Sequence, residues 1–423
     1  VILEEERTTG GANRRAQETL FPIMYPNSPY GARLPIGTKE VIANFTYQEL
    51  RDYYNKWYRP DLQGLIIVGD IDVDAIEARI KEMFADIPAP VNPAERTRFM
   101  IEDNAEPIVA IASDPELTST SLQIFYKHDV TPDEYKQTPD YWMSQYVLNL
   151  ISEMQINRLL ELTQKPNPPF VGGYSYFGDY YLAPTKAAWT SYAVPKDNAS
   201  IEEALTALVV ENKRMQQHGF TASEYERAKA DFMKRVESAY NERNNTENEK
   251  HVDACLEHFL HNEPMMDIET EYQLYQQVIP NLPLEAINQF AAQLVREDNL
   301  VITLTAPQKE GETLPTEEEL LEIIHKLNDD KFCPNCGERV EIIEESKPVE
   351  PEIEQIDYSR FIDDTLWIEA KDSEEKENIR QLDEYLMSKN ITDKNEMTGL
   401  FEGKNLIYIM IEAFDYIAID KTL

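Results

Sequence analysis

The sequence predicts an α+β protein built from two homologous αβ modules, each an antiparallel sheet flanked by helices, with the first module incomplete. A small C-terminal segment of uncertain fold follows them. Three observations lead there. The chain has 423 residues, 42% of them hydrophobic and 10% aromatic, which is enough for two or three domains with packed cores. Apolar residues at helical spacing alternate with short apolar runs of strand length. One order also occurs twice: a helix, a charged stop and a buried strand. Arg59-Pro60-Asp61 precedes Leu65 to Val68, and Arg296-Glu297-Asp298 precedes Leu300 to Thr305. The expected divisions are 1–93, 94–327 and 328–423.

Val1 to Arg7 reads as a helix, because Leu, Glu and Arg favour one. Phe21 to Lys39 is rich in Pro and Gly and reads as an irregular loop. Thr46 and Glu49 form a capping box, and Leu50, Tyr53, Tyr54 and Trp57 follow on one helical face. Leu65 to Val68 is a buried strand ended by Gly69-Asp70. The next helix puts Ile76, Ile80, Met83 and Phe84 on one side. Pro88, Pro90 and Pro93 then form a stiff linker. Strands are predicted at Ile108 to Ala112 and Leu122 to Tyr126. A helix capped at Thr131-Pro132-Asp133-Glu134 runs to about Leu162. Gly173 to Tyr181 and Ala187 to Val194 read as paired strands. Ser200 with Glu203, and Thr221 with Glu224, open helices, and further helices run to about Leu294. Thr316 and Glu319 cap a short one. Beyond about Asn328 the chain is acidic, with Pro348 and Pro351 in a linker and an apolar stretch from Leu406 to Ile411.

A formal charge of -38 argues against nucleic acid and anionic membrane surfaces as partners, since both would repel the chain. There is no apolar run long enough to span a bilayer and no signal peptide. The chain starts at Val1 inside an apolar-acidic run, so it reads as a processed product or a fragment. Three cysteines are too few for a disulfide scaffold.

A hydrolytic zinc site needs two His one helical turn apart, a Glu between them and a distant third ligand. Neither His-x-x-Glu-His nor its reversed form occurs. The nearest stretch holds His251, Cys255 and His258 on one helical face. Cys255 is expected to pack inward there, and the His residues to sit near a helix end. Cys333-Pro334-Asn335-Cys336-Gly337 is a knuckle of zinc-ribbon type, with two thiols where a structural site needs four ligands. It is either half a site completed by another chain or an unmetallated pair of free thiols. There is no Gly-x-Ser-x-Gly elbow and no phosphate-binding glycine loop.

Several blocks together resemble the insulinase/pitrilysin family of zinc peptidases, its shorter bacterial members above all. They are VILEEER (1–7), SPYG (28–31) with PIGTKEVI (35–42), FTYQELRDYYNKWYRPD (45–61), LIIVGDID (65–72), INRLLEL (156–162), HGFTASEYERAKADF (218–232) and LVITLTAP (300–307). The resemblance covers about residues 1 to 325. It implies homologous αβ domains paired into halves that close on a substrate peptide. In active halves a His-x-x-Glu-His helix supplies two zinc ligands and the general base, and zinc-activated water attacks the peptide bond. The third ligand is a Glu on a later helix, in a segment like VILEEER. Glu5 takes that position by alignment, with Glu4 and Glu6 as one-residue slips. Successive helical residues point about 100° apart, so one of the three can face a metal. The His-x-x-Glu-His should lie upstream of Val1. The expectation is therefore a fragment of a zinc metalloendopeptidase that does not cleave peptides alone. The alternative is a non-catalytic peptide-binding or structural subunit that completes an active partner's chamber. A third reading has the knuckle and the acidic segment binding a partner. Expected partners are peptide substrates and a second family half. The resemblance favours a bacterial periplasm over the cytoplasm.

Overall fold

The computed structural model describes residues 2–340 and 405–409. Helices α1 (Ile2–Thr9), α2 (Ala12–Met24), α3 (Lys39–Asn44) and α4 (Tyr47–Trp57) lead into β1 (Leu65–Gly69) and α5 (Val73–Met83). Then follow β2 (Ile108–Asp114), β3 (Ser121–His128), α6 (Pro139–Thr163), β4 (Phe170–Tyr180) and β5 (Ala183–Pro195). Helices α7 (Ile201–His218), α8 (Ala222–Asn241), α9 (Asn248–His261), α10 (Ile268–Val278) and α11 (Leu284–Leu294) precede β6 (Leu300–Pro307) and α12 (Glu317–Asn328). A last strand, β7 (Asn405–Ile409), pairs antiparallel with β1. Apart from residues 329–340 and β7, the expectations for the C-terminal segment lie outside the described residues.

The chain is α+β, as its sequence predicts. Its centre is a five-stranded sheet in the order β2-β6-β3-β5-β4, antiparallel except for the parallel pair β2 and β6. Both faces of this sheet are covered, so alternate residues on one strand enter different cores. Val109, Ile124 and Ile302 face the larger cluster, formed with α6, α7 and α11. Their neighbours Ala110, Phe125 and Val301 face a second cluster, formed with α2. The repeated helix–strand–helix order is present as α4-β1-α5 and α11-β6-α12.

Helix α2 runs on through Phe21 and Pro22, so the loop predicted from Phe21 starts only after Met24. Ala16, Leu20, Phe21 and Met24 are its buried face. Pro22 forfeits one hydrogen bond in the last turn, and burial against the sheet outweighs that loss. The junction closes with two tyrosines. Tyr25 donates its hydroxyl hydrogen to the Tyr180 carbonyl at 3.1 Å, and Tyr180 donates to the Met24 carbonyl at 3.1 Å. The Tyr25 hydroxyl oxygen also accepts from the Leu182 amide at 3.1 Å. Both rings are fully buried, and their centroids lie 5.1 Å apart, edge to face.

Three predicted capping boxes form, at Thr46 with Glu49, Thr221 with Glu224, and Thr316 with Glu319. Two other predicted caps do not. The long helix α6 starts at Pro139 under Thr138, which accepts from the Tyr141 amide, and a 3-10 turn at Asp133–Tyr135 occupies the earlier Thr-Pro signal. Ser200 gives its hydrogen to Asp197 and caps nothing. Strand β1 was expected to be buried, yet every residue in it is half-exposed. Among the described residues it has one ladder partner, and α4 and α5 bury no side chain.

The turn between α7 and α8 is fixed from several sides. Gly219 has φ +66, and a Cβ there would lie 2.2 Å from Asn288. The Asn288 amide accepts from the Phe220 N–H and donates to the Phe220 carbonyl. Buried Arg158 reaches the Gly219 carbonyl and forms a two-pronged pair with Glu224 at 2.6 and 2.9 Å.

Two outcomes follow from these contacts. Tyr25→Phe leaves the buried Tyr180 carbonyl without its side-chain donor and the Leu182 amide without its acceptor, and should lower stability by about 1–3 kcal/mol in urea unfolding. Burial opposes ionisation of Glu224, but Arg158 and the Thr221 donors override it and hold the carboxyl at about 2, against an ordinary 4.5. This contribution is complete above the ordinary value and disappears as pH falls toward 2. The stability difference between wild type and Glu224→Gln should therefore shrink on acidification from pH 6 to pH 2.

Candidate functional site

Glu4, Glu5 and Glu6 lie together on α1, and the structure gives them three different environments. Glu4 is exposed and accepts from the Arg7 guanidinium at 3.0 Å, a bond that holds its carboxyl below the ordinary value. Glu6 is buried, with Arg14 at 3.3 Å and Lys39 at 3.4 Å. Glu5 is exposed. The ion pairs of Glu6 secure α1 to α2 and α3. Helix α2 is tied in turn to the sheet, where Arg15 grips Asp114 at the end of β2 through two bonds of 2.6 and 2.8 Å. That grip holds the Asp114 carboxyl at about 2. Glu5 is thus displayed on a short helix fixed to the back of the sheet.

The Cys333–Cys336 knuckle stands on a different element. Residues 329–340 form a small hairpin against α7. Phe332 bridges Arg339, the Cys333 amide donates to the Glu338 carbonyl at 2.7 Å, and the Gly337 amide donates to the Cys333 carbonyl at 3.0 Å. Phe332 is buried in the main core. Arg214 of α7 donates to the Pro334 and Asn335 carbonyls, both at 2.8 Å, and is paired with buried Glu211 at 3.1 Å. Gln217 and His218 bind the backbone of Asp330 and Phe332. Gly337 has φ +71, and a Cβ there would lie 2.8 Å from a Glu211 oxygen. Cys333 is half-exposed and Cys336 exposed.

On α9, Cys255 is buried, and burial pushes its thiol up to about 11. That is the character of a packed side chain and not of a nucleophile or ligand. His258 near the helix end contacts the Glu263 carbonyl at 2.7 Å through Nδ1. A cavity of about 460 Å³ lies between the end of β3, β4 and the end of α11, lined by His128, Asp129, Phe177, Phe290 and Arg296 among others. His128 meets the Leu294 carbonyl at 3.0 Å, and burial keeps its imidazole below the ordinary value. Sequence reasoning passed over this cavity, because a lone His at a strand end carries no motif. Glu5, Cys333 and Cys336 do not line it.

Among the described residues, no group of three or more His, Cys, Asp or Glu comes together in a way that could hold a metal ion. Helix α1 offers carboxylates alone, and the sequence has no His-x-x-Glu-His, so the residues present do not fit a hydrolytic zinc centre. No described helix is long and apolar enough to cross a membrane.

Residues 44–232, from the end of α3 into α8, match the peptidase M16 inactive domain. A zinc protease PQQL-like protein of Arabidopsis thaliana is 25% identical over 84% of this chain and 34% of its own length. The probable zinc protease PqqL of Escherichia coli is 24% identical over 68% of this chain and 30% of its own. The chain thus spans about a third of the length of the curated relatives it matches. The crystal structure of the first half of the periplasmic protease PqqL from Escherichia coli superposes with a TM-score of 0.67 at 21% identity, covering 78% of this chain and 70% of that one. Residues 44–232 thus match a peptidase M16 inactive domain, and the chain is similar to two relatives named zinc proteases and shares the fold of the PqqL half.

Proposed function

We propose that this chain is part of one half of a zinc metalloendopeptidase, supplying the third-ligand position at Glu5, a wall of the substrate chamber and the interface between two modules. The observation that carries this reading is the exposure of Glu5 on α1, whereas Glu6 is buried against Arg14 and Lys39. Glu5 is the one of the three that combines exposure with the aligned position. A single carboxylate does not hold zinc at useful affinity, so the chain alone does not hydrolyse peptides. The relatives named as zinc proteases support zinc in the intact protein, and the periplasmic PqqL supports an extracytoplasmic site of action. The substrates are peptides, and the chamber is completed by a second family half.

A second reading, a non-catalytic subunit that binds peptide beside an active partner, draws on the lack of convergent metal ligands among the described residues. One assay separates the two. The chain is mixed with a family polypeptide that carries a His-x-x-Glu-His helix, and peptide cleavage is followed with and without Glu5→Gln. The first reading expects no cleavage by the chain alone. In the mixture it expects a loss of more than roughly 100-fold on Glu5→Gln, since even residues behind a metal ligand are worth 10–100-fold. Turnover by the chain alone, or mixed turnover indifferent to Glu5→Gln, contradicts it.

A further inference from the structure

The backbone of residues 331–340 is a hairpin that tightens step by step toward its two cysteines. The Val340 amide donates to the Lys331 carbonyl at 2.8 Å, Phe332 bridges Arg339, and the Cys333 amide donates to the Glu338 carbonyl at 2.7 Å. Pro334 to Gly337 form the loop, and the Gly337 amide closes it on the Cys333 carbonyl at 3.0 Å. That last bond runs back four residues, so Cys333 to Gly337 is a single turn of helical type. In such a turn the first and fourth Cα atoms lie about 5 Å apart. A disulfide joins Cα atoms about 4.4–6.8 Å apart. The backbone therefore sets Cys333 and Cys336 at a bonding separation.

The turn is also held from outside. Arg214 of α7 donates to the Pro334 and Asn335 carbonyls, both at 2.8 Å, between the two cysteines. Phe332, next to Cys333, is buried in the main core. Gly337, next to Cys336, is left-handed and lies so close to Glu211 that a Cβ would meet its oxygen at 2.8 Å. The sulfurs are nonetheless reachable, since Cys336 is exposed and Cys333 half-exposed. Cys255, by contrast, is buried in α9. A thiol exchanges with disulfides according to its access and to the partner that waits beside it. A disulfide is complete with two sulfurs, so the hairpin contains every protein atom of that product.

We propose that Cys333 and Cys336 are a dithiol–disulfide site that takes external disulfides as substrate and closes into an intramolecular bond across the turn. Exposed Cys336 reacts first. Its thiolate attacks one sulfur of the external disulfide, forming a mixed disulfide and releasing one thiolate. The Cys333 thiolate then attacks the Cys336 sulfur, forming the Cys333–Cys336 bond and releasing the second thiolate. Two electrons pass from the protein to the external disulfide, and the two cysteine protons end on the released thiols. The held turn makes the second step intramolecular, so the mixed disulfide resolves faster than it accumulates. The proposal rests on the hairpin alone and is independent of the role of Glu5.

The reduced full-length chain is incubated with oxidised glutathione, quenched in acid, and read by intact mass and by alkylation. The expected product is a chain lighter by two hydrogens, with the new bond inside the tryptic peptide 332–339 and with Cys255 still alkylated after unfolding. Excess reduced glutathione should return both thiols. Cys333→Ser should instead keep one glutathione on Cys336. Stable glutathione adducts on the wild-type chain, a disulfide between two chains, or thiols that stay free at every glutathione ratio overturn the proposal. So does zinc retained by the purified chain that shields both thiols until a chelator removes it. The mass of the wild-type product decides by itself, so the proposal stands or falls even where the variant does not fold.

Discussion

Helix α2 lies on the back of the central sheet, and much of the architecture depends on that contact. Without it, Ala110, Phe125, Ala188 and Val301 would face water from one side of four strands. The contact is closed by exchange between Tyr25 and Tyr180, each of which donates to backbone on the other element. Two buried hydroxyls are satisfied by carbonyls at the end of a helix and the end of a strand. Burial of Phe21 and Met24 supplies the driving force, and the tyrosine pair fixes the orientation. Helix α1 inherits its place from this docking through Arg14, so the position of Glu5 is set by contacts well away from it.

The opposite face shows how one helix serves two purposes. Asn212 of α7 points inward, accepting from the Trp189 indole at 3.0 Å and exchanging hydrogen bonds with Ser191. It is a polar node in an apolar core, and each partner is buried. Two residues later, Arg214 points the other way and seats the cysteine hairpin. The internal face of α7 is locked to β5 at Asn212, so the outer face is a firm base.

Much of this was legible in the sequence where the determinants are local. Thr46 with Glu49, Thr221 with Glu224 and Thr316 with Glu319 form their boxes, because a cap needs four consecutive residues and nothing else. The alternating strands were visible for the same reason. What failed depended on partners distant in the chain. Pro22 marks a loop by composition, and a sheet whose nearest strand starts at Ile108 overrules it. Thr131 has Glu134 in the capping-box position and Thr138 does not, yet α6 starts under Thr138, a choice that local capping does not explain. The run Leu65 to Val68 is apolar enough for two covered faces, but among the described residues β1 has one ladder partner. At the candidate site, alignment favoured Glu5 and composition could not. The difference between Glu5 and Glu6 comes from Arg14 and Lys39, which no reading of VILEEER contains.

The central claim is that the acidic helix is held by α2 docked on the sheet. Amide hydrogen exchange tests it most directly. The account predicts that the amides of residues 16–24 exchange as slowly as those of β3 and β5, and that Tyr180→Phe speeds α2 and α1 together while leaving α7 unchanged. If residues 16–24 exchange as fast as the exposed helix α4 in the wild-type chain, the docking does not hold α1, and the placement of Glu5 loses its physical basis.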